Sequence, residues 1–117
     1  MTAQASLPDG TAVTLGTVGQ TIVFENDTVR VWEIVLEPGS MVSWHQHQHP
    51  YLVIALRGSS NRIESVDGGV RHVVEPDGGV VYREAGEVHR LINEGTTQYR
   101  SRLVELIGLP GGEHHGR

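Results

Sequence analysis

Apolar residues along this chain come in short runs, broken at close intervals by glycine, proline, asparagine and aspartate. The run VRVWEIVL, from Val29 to Leu36, sets the pattern: in an extended strand Trp32, Ile34 and Leu36 share one side, and Val29, Val31, Glu33 and Val35 share the other. Both sides are largely apolar, which predicts a strand covered twice, by the interior of the fold and by a second layer, an arm or another subunit. TAVTLG and TIVF precede it as shorter strands separated by Gly16 and Gly19, with a turn at Glu25, Asn26 and Asp27. Downstream, NRIESV and VRHVV flank Asp67-Gly68-Gly69 as a hairpin, VVYR follows the turn EPDGG, EAGEVHRLIN comes next, and QYRSRLVELIGL forms a last long strand from about Gln98 to Leu109. No stretch carries a convincing helical period. About ten short strands with turn residues between them predict an all-β sandwich or barrel.

One stretch departs from plain alternation. In GSMVSWHQHQHPYLVIALRG, Gly39 to Gly58, histidines stand at alternate positions 45, 47 and 49, ahead of an apolar run that starts at Tyr51. On an extended strand His45 and His47 point the same way. Two imidazoles buried together each carry a donor and an acceptor that lose water, and a shared metal ion relieves that cost. The bland alternative is a solvated strand end. EPGS reads as a turn before the histidines and Pro50 as a break after them, so turn, strand, kink, strand and turn make a hairpin-like unit with its histidines at the mouth.

The length of 117 residues suits one domain. Residues 1–10 are small and polar and read as a flexible or edge-strand arm, 11–109 as the all-β domain, and 110–117 as a flexible tail in which His114 and His115 are an unstructured end rather than a site. Aromatic residues make up only 5%, so Val, Ile and Leu must build the core. A net charge of −5 without a basic stripe speaks against nucleic acid as a partner. The absence of cysteine rules out disulfides, thiolate ligands and a cysteine nucleophile. No apolar run is long enough to span a bilayer, and the N-terminus lacks the charged and apolar segments of a leader, which predicts a cytoplasmic protein. The apolar outer side of VRVWEIVL predicts a homodimer that pairs or exchanges N-terminal strands.

Two segments together resemble the cupin superfamily. Gly39, His45, His47 and Gly58 fall in register with the first cupin motif, with Tyr51 where a glutamate is expected. Gly78, Gly86, His89 and Asn93 match the second, with Glu84 in place of its proline. The resemblance implies a jelly-roll β-barrel of the cupin type with His45, His47 and His89 lining its mouth around one divalent transition metal, be it Fe, Zn, Ni or Mn. Three-histidine sites occur among cupins in enzymes resembling diketone, gentisate and thiol dioxygenases. The fourth ligand of the family is missing, and Tyr51, an ordinary phenol, is a poor substitute. Its hydroxyl is expected behind the ligands or facing substrate. His49 stands as a fourth ligand, as in some cupin polyketide cyclases, or as a rim residue. The resemblance thus implies a metal-dependent enzyme on a small organic substrate, dioxygenase-like, with Tyr51 and His49 positioning substrate or shuttling a proton. A Zn- or Ni-dependent isomerase, cyclase or lyase, and a non-catalytic binding module, are the competing readings.

Glu33 and Glu105 sit in apolar strands and either bring a carboxylate near the cavity or pair with cations. Arg57, Arg62, Arg100 and Arg102 read as a solvated face, with room for one of them to meet a substrate carboxylate. Glu84, Glu87 and His72 read as surface groups.

Overall fold

Alternation becomes geometry in the strand that set the sequence pattern: Trp32, Ile34 and Leu36 are buried, while Val31, Glu33 and Val35 between them are half-buried. The computed structural model describes residues 3–108. Its strands, in chain order, are β1 (Gln4–Ser6), β2 (Ala12–Thr14), β3 (Thr21–Glu25), β4 (Arg30–Leu36), β5 (Met41–Gln46), β6 (Tyr51–Arg57), β7 (Ser59–Ser65), β8 (Val70–Glu75), β9 (Val80–Arg83), β10 (Val88–Asn93) and β11 (Tyr99–Glu105). There is no helix among the described residues, and so none long and apolar enough to cross a membrane.

Two antiparallel sheets make the barrel, one ordered β3-β4-β11-β6-β9 and the other β5-β10-β7-β8. This is the jelly roll that the resemblance implies. Register decides what faces inward. Across the larger sheet Trp32, Leu103, Val53 and Val81 stand directly opposite one another and form an apolar layer. One pleat further toward the mouth, Arg30, Glu105, Tyr51 and Arg83 form a polar row. On the smaller sheet His45, His89 and Ser65 are aligned in the same way. Each fully buried aliphatic side chain in the apolar layers contributes roughly 1.5–3 kcal/mol. At the other end Asn93, with no exposed surface, donates to the carbonyls of Leu36 (2.9 Å) and Thr97 (2.8 Å) and accepts from Gly95 N and Ser59 Oγ, both at 2.9 Å. The second motif's asparagine therefore ties the two sheets together with every polar site satisfied.

Several sequence expectations need correction. The histidine strand ends at Gln46, and β5 and β6 lie in different sheets, so the 39–58 unit is not a hairpin. Residues 47–50 instead carry the chain across the mouth from one sheet to the other. The last strand stops at Glu105, short of the expected Leu109. The outer side of β4 is not covered by the N-terminal arm: Glu33 there accepts from Arg100 (2.9 Å) and Arg102 (3.2 Å) on the neighbouring strand. The arm pairs with itself, β1 against β2, so the boundary expected at residue 10 falls in the turn of that hairpin, and it reaches the barrel where Gly16 N donates to Trp44 O at 2.8 Å. The tail expected over 110–117 lies outside the described residues.

Candidate functional site

His45 and His89 are brought together by strand pairing alone, because they are opposite partners on β5 and β10. His47 joins them from the crossing segment. Its backbone N donates to Glu87 O (3.1 Å) and its carbonyl accepts from Gly86 N (2.7 Å), so the turn before β10 serves as its support. Gly86 has φ +119°, a conformation that side-chain-bearing residues rarely adopt, which is why glycine stands there. The three ring centroids are 4.8, 4.8 and 4.9 Å apart, and one ring nitrogen from each lies within 4.8 Å of the others.

Neighbouring acceptors select the tautomers. His45 Nδ1 donates to Ser43 O (2.6 Å) and His89 Nδ1 donates to a Glu87 carboxylate oxygen (2.7 Å), which leaves the Nε2 lone pair of each ring available. His47 Nε2 is 3.0 Å from His89 Nε2, and His47 Nδ1 is buried without a partner among the described residues. Burial keeps all three rings neutral: desolvation, then the charge of His89, pulls His45 down to about 4, and desolvation with His45 and His89 pulls His47 to about 2. His89 is lowered by desolvation as well, with Glu87 opposing.

The donor set fits a divalent transition metal. Imidazole nitrogens about 2.1 Å from one ion lie ~3.0–3.4 Å apart, a span the His47–His89 pair already has, and neutral rings with directed lone pairs are what such an ion requires.

Glu87, expected as a surface charge, is the residue behind the site. One carboxylate oxygen accepts from His89 Nδ1 and from Arg71 (3.0 Å), the other from Arg71 (2.7 Å) and Ser65 Oγ (2.9 Å). The Arg71 contacts foremost hold its carboxyl down at about 2. The sequence did carry a signal, a carboxylate two residues before a ligand-type histidine, but its partners Arg71 and Ser65 are distant in the chain.

Tyr51 is 3% exposed and its ring stacks on His47, centroids 3.8 Å apart and planes 12° from parallel. Burial pushes its phenol up to about 12, with the Glu87 charge adding to the shift, so the hydroxyl keeps its proton. It makes no hydrogen bond among the described residues. His49, by contrast, does not line the central cavity. It is half-buried and faces a separate depression bounded by Arg30, Trp32, Gln48 and Glu105. Glu105 is engaged there, accepting from Trp32 Nε1 at 2.6 Å, and neither Glu33 nor Glu105 lines the cavity. His72 is exposed and meets Glu94 at 2.6 Å.

The cavity itself is about 50 Å³, on a measure by which one water needs roughly 10–15 Å³. Its waist is apolar, formed by Ile34, Val53, Ile63, Val73, Val81 and Leu103. At the end away from the histidines Glu75 accepts from Tyr99 Oη (2.9 Å) and Asn61 Nδ2 (2.6 Å). None of Arg57, Arg62, Arg100 and Arg102 reaches the cavity; the arginine in its wall is Arg83.

No family model matches the chain. It is 33% identical over 73 residues to the beta-alanine degradation protein BauB of Pseudomonas aeruginosa, a stretch that covers 62% of this chain and 76% of that protein. Among solved structures, a cupin domain from Bordetella pertussis superposes with a TM-score of 0.69 at 26% identity, covering 74% of this chain and 88% of the other. A conserved protein with a double-stranded β-helix domain from Klebsiella pneumoniae, at 22% identity, shares the fold with a TM-score of 0.62 over 79% of this chain and 77% of its own. With the barrel, both histidine segments and these relatives in agreement, the chain belongs to the cupin superfamily.

Proposed function

We propose that this cupin is a metal-dependent oxidoreductase, a dioxygenase acting on a small organic substrate in the barrel cavity. The observation that carries the reading is the convergence of three neutral imidazoles, without a protein carboxylate among them, on the wall of a small apolar cavity. His45, His47 and His89 would hold an Fe(II) ion, which would supply dioxygen activation; a dioxygenase places both oxygen atoms in its product, so no external reductant is required.

The protein's own groups have narrower tasks. Glu87 fixes the His89 tautomer and orientation, and Ser43 O does the same for His45. Tyr51 packs flat on His47 and holds a proton at its hydroxyl, poised to donate to an anionic group of the substrate. The apolar waist excludes water from a reactive centre.

The test begins with metal analysis of protein purified without an affinity tag, followed by oxygen uptake after Fe(II) reconstitution. β-Alanine and other three-carbon acids come first in the substrate panel, because the similar BauB is named for beta-alanine degradation. His45→Ala, His47→Ala and His89→Ala should each lose most of the metal while the barrel still folds. Stoichiometric metal in the His89→Ala protein would place the site elsewhere. Full metal loading with no oxygen consumption across the panel would leave a binding module in place of an enzyme.

A further inference from the structure

Arg83 occupies a position that the fold explains and its pairing does not. It lies on β9 directly opposite Tyr51, on the inward side of the sheet, and forms part of the cavity wall beside His45, His47 and His89. Its charge reaches both Tyr51 and His89. Arg57 at the exposed end of β6 also lacks a carboxylate partner among the described residues but lies outside the cavity, and the other arginines of the barrel are paired: Arg71 meets Glu87, Arg30 meets Glu25 and Glu105, Arg62 and Arg90 meet Glu64, and Arg100 and Arg102 meet Glu33. Arg83 meets neither a carboxylate nor any other hydrogen-bond acceptor among the described residues. The cavity's own carboxylate, Glu75, is at the other end and already engaged by Tyr99 and Asn61.

A guanidinium beside an apolar cavity is stabilised chiefly by an anion, and its planar fork suits a carboxylate with two parallel hydrogen bonds. The need grows when the neutral histidine set carries a divalent ion, because none of the three ligands offsets its charge. We infer that Arg83 is the anion-recognition residue of the cavity, and that the ligand is a small carboxylate whose carboxyl group pairs with Arg83 while the remainder lies at the histidine cluster. Tyr51, its cross-strand partner, borders the same cavity. The cavity volume restricts such a ligand to a few non-hydrogen atoms. The inference deepens the enzyme reading and rests on the same cavity, but it concerns binding and does not require turnover.

The experiment is an NMR titration of the full chain, both zinc-loaded and chelator-treated, with propionate and with its neutral isostere propionamide. Wild-type protein should bind propionate at least tenfold more tightly than the amide. Arg83→Gln should lose that preference with zinc content unchanged, and Arg83→Lys should recover part of it. The thermal midpoint of each variant, read by circular dichroism, separates a binding defect from unfolding, and the lysine variant carries the comparison if the glutamine variant folds poorly. Equal affinity for acid and amide in the wild type, or a preference that survives in Arg83→Gln because the ion alone captures the carboxylate, overturns the inference. Oxygen uptake measured on the same variants after Fe(II) reconstitution, with the substrate panel above, keeps the two readings apart: carboxylate binding through Arg83 without turnover removes the dioxygenase and leaves this site, whereas turnover unaffected by Arg83→Gln does the reverse.

Discussion

Replacing Glu87 by glutamine tests whether the site is organised from behind. The wild-type carboxylate accepts four hydrogen bonds, one from His89, two from Arg71 and one from Ser65. An amide has one accepting end and one donating end, so it cannot satisfy all of these donors. If its oxygen faces His89, the amino group is set against the Arg71 guanidinium and the ion pair is lost. If its oxygen faces Arg71, the amino group confronts His89 Nδ1 and moves the ring proton to Nε2, the nitrogen that faces His47. Either way the ligand is less basic or wrongly protonated. Changes to such outer partners typically weaken metal binding by 10–100-fold, roughly 1.4–2.7 kcal/mol. Glu87 is partly solvent-exposed, with 29% of its side chain accessible, and water can replace some of the lost contacts, which favours the lower half of that range. Competition with a chelator for Zn(II), on metal-stripped wild type and Glu87→Gln, measures the ratio. An affinity within twofold of wild type, with the metal-free thermal midpoints alike, would show that His89 needs no orienting partner and that the assignment of Glu87 is wrong.

Tyr51→Phe should leave chelator-measured metal affinity nearly unchanged, since the stack on His47 survives, and should cost turnover or ligand binding ~1 kcal/mol through one lost hydrogen bond; a large loss of metal would make the phenol a direct ligand. Tyr51→Glu should tighten the ion by restoring the family's fourth ligand and depress any reaction that depends on a strongly electrophilic metal. The metal-free protein should lose stability on acidification below about pH 6.5, because the unfolded chain protonates its histidines there while folded His45 resists until about 4. That one ring contributes on the order of 3 kcal/mol across the window, and a urea midpoint that stays flat between pH 7 and 4.5 would contradict the burial argument. We further propose that two copies pair along β3, an edge strand whose Ile22, Val23 and Phe24 are all exposed; a monomer mass by light scattering at micromolar concentration would refute this.

Much of the fold is legible in the chain because its signals are local. Alternation in VRVWEIVL, glycine and aspartate at the 67–69 turn, and the spacing of His45, His47 and His89 within two separated motifs are properties of neighbouring residues, and the barrel obeys them. What stays hidden depends on register between strands far apart in the chain. Alternation assigns a residue to one of two sides but does not say which side is inward, and for polar residues hydropathy gives no help. Hence Glu87 reads as a surface charge until Arg71 and Ser65 arrive beside it, and His49 as a neighbour of the site until the crossing segment turns it toward another depression. Four other arginines are equal candidates for a substrate carboxylate until pairing of β6 with β9 sets Arg83 against Tyr51. The sequence by itself determined that this chain builds strands and brings a cluster of imidazoles to one end of a barrel. Only the tertiary structure decided which charges are paired around that cluster, because ion pairing and burial are set by contacts that no local pattern encodes.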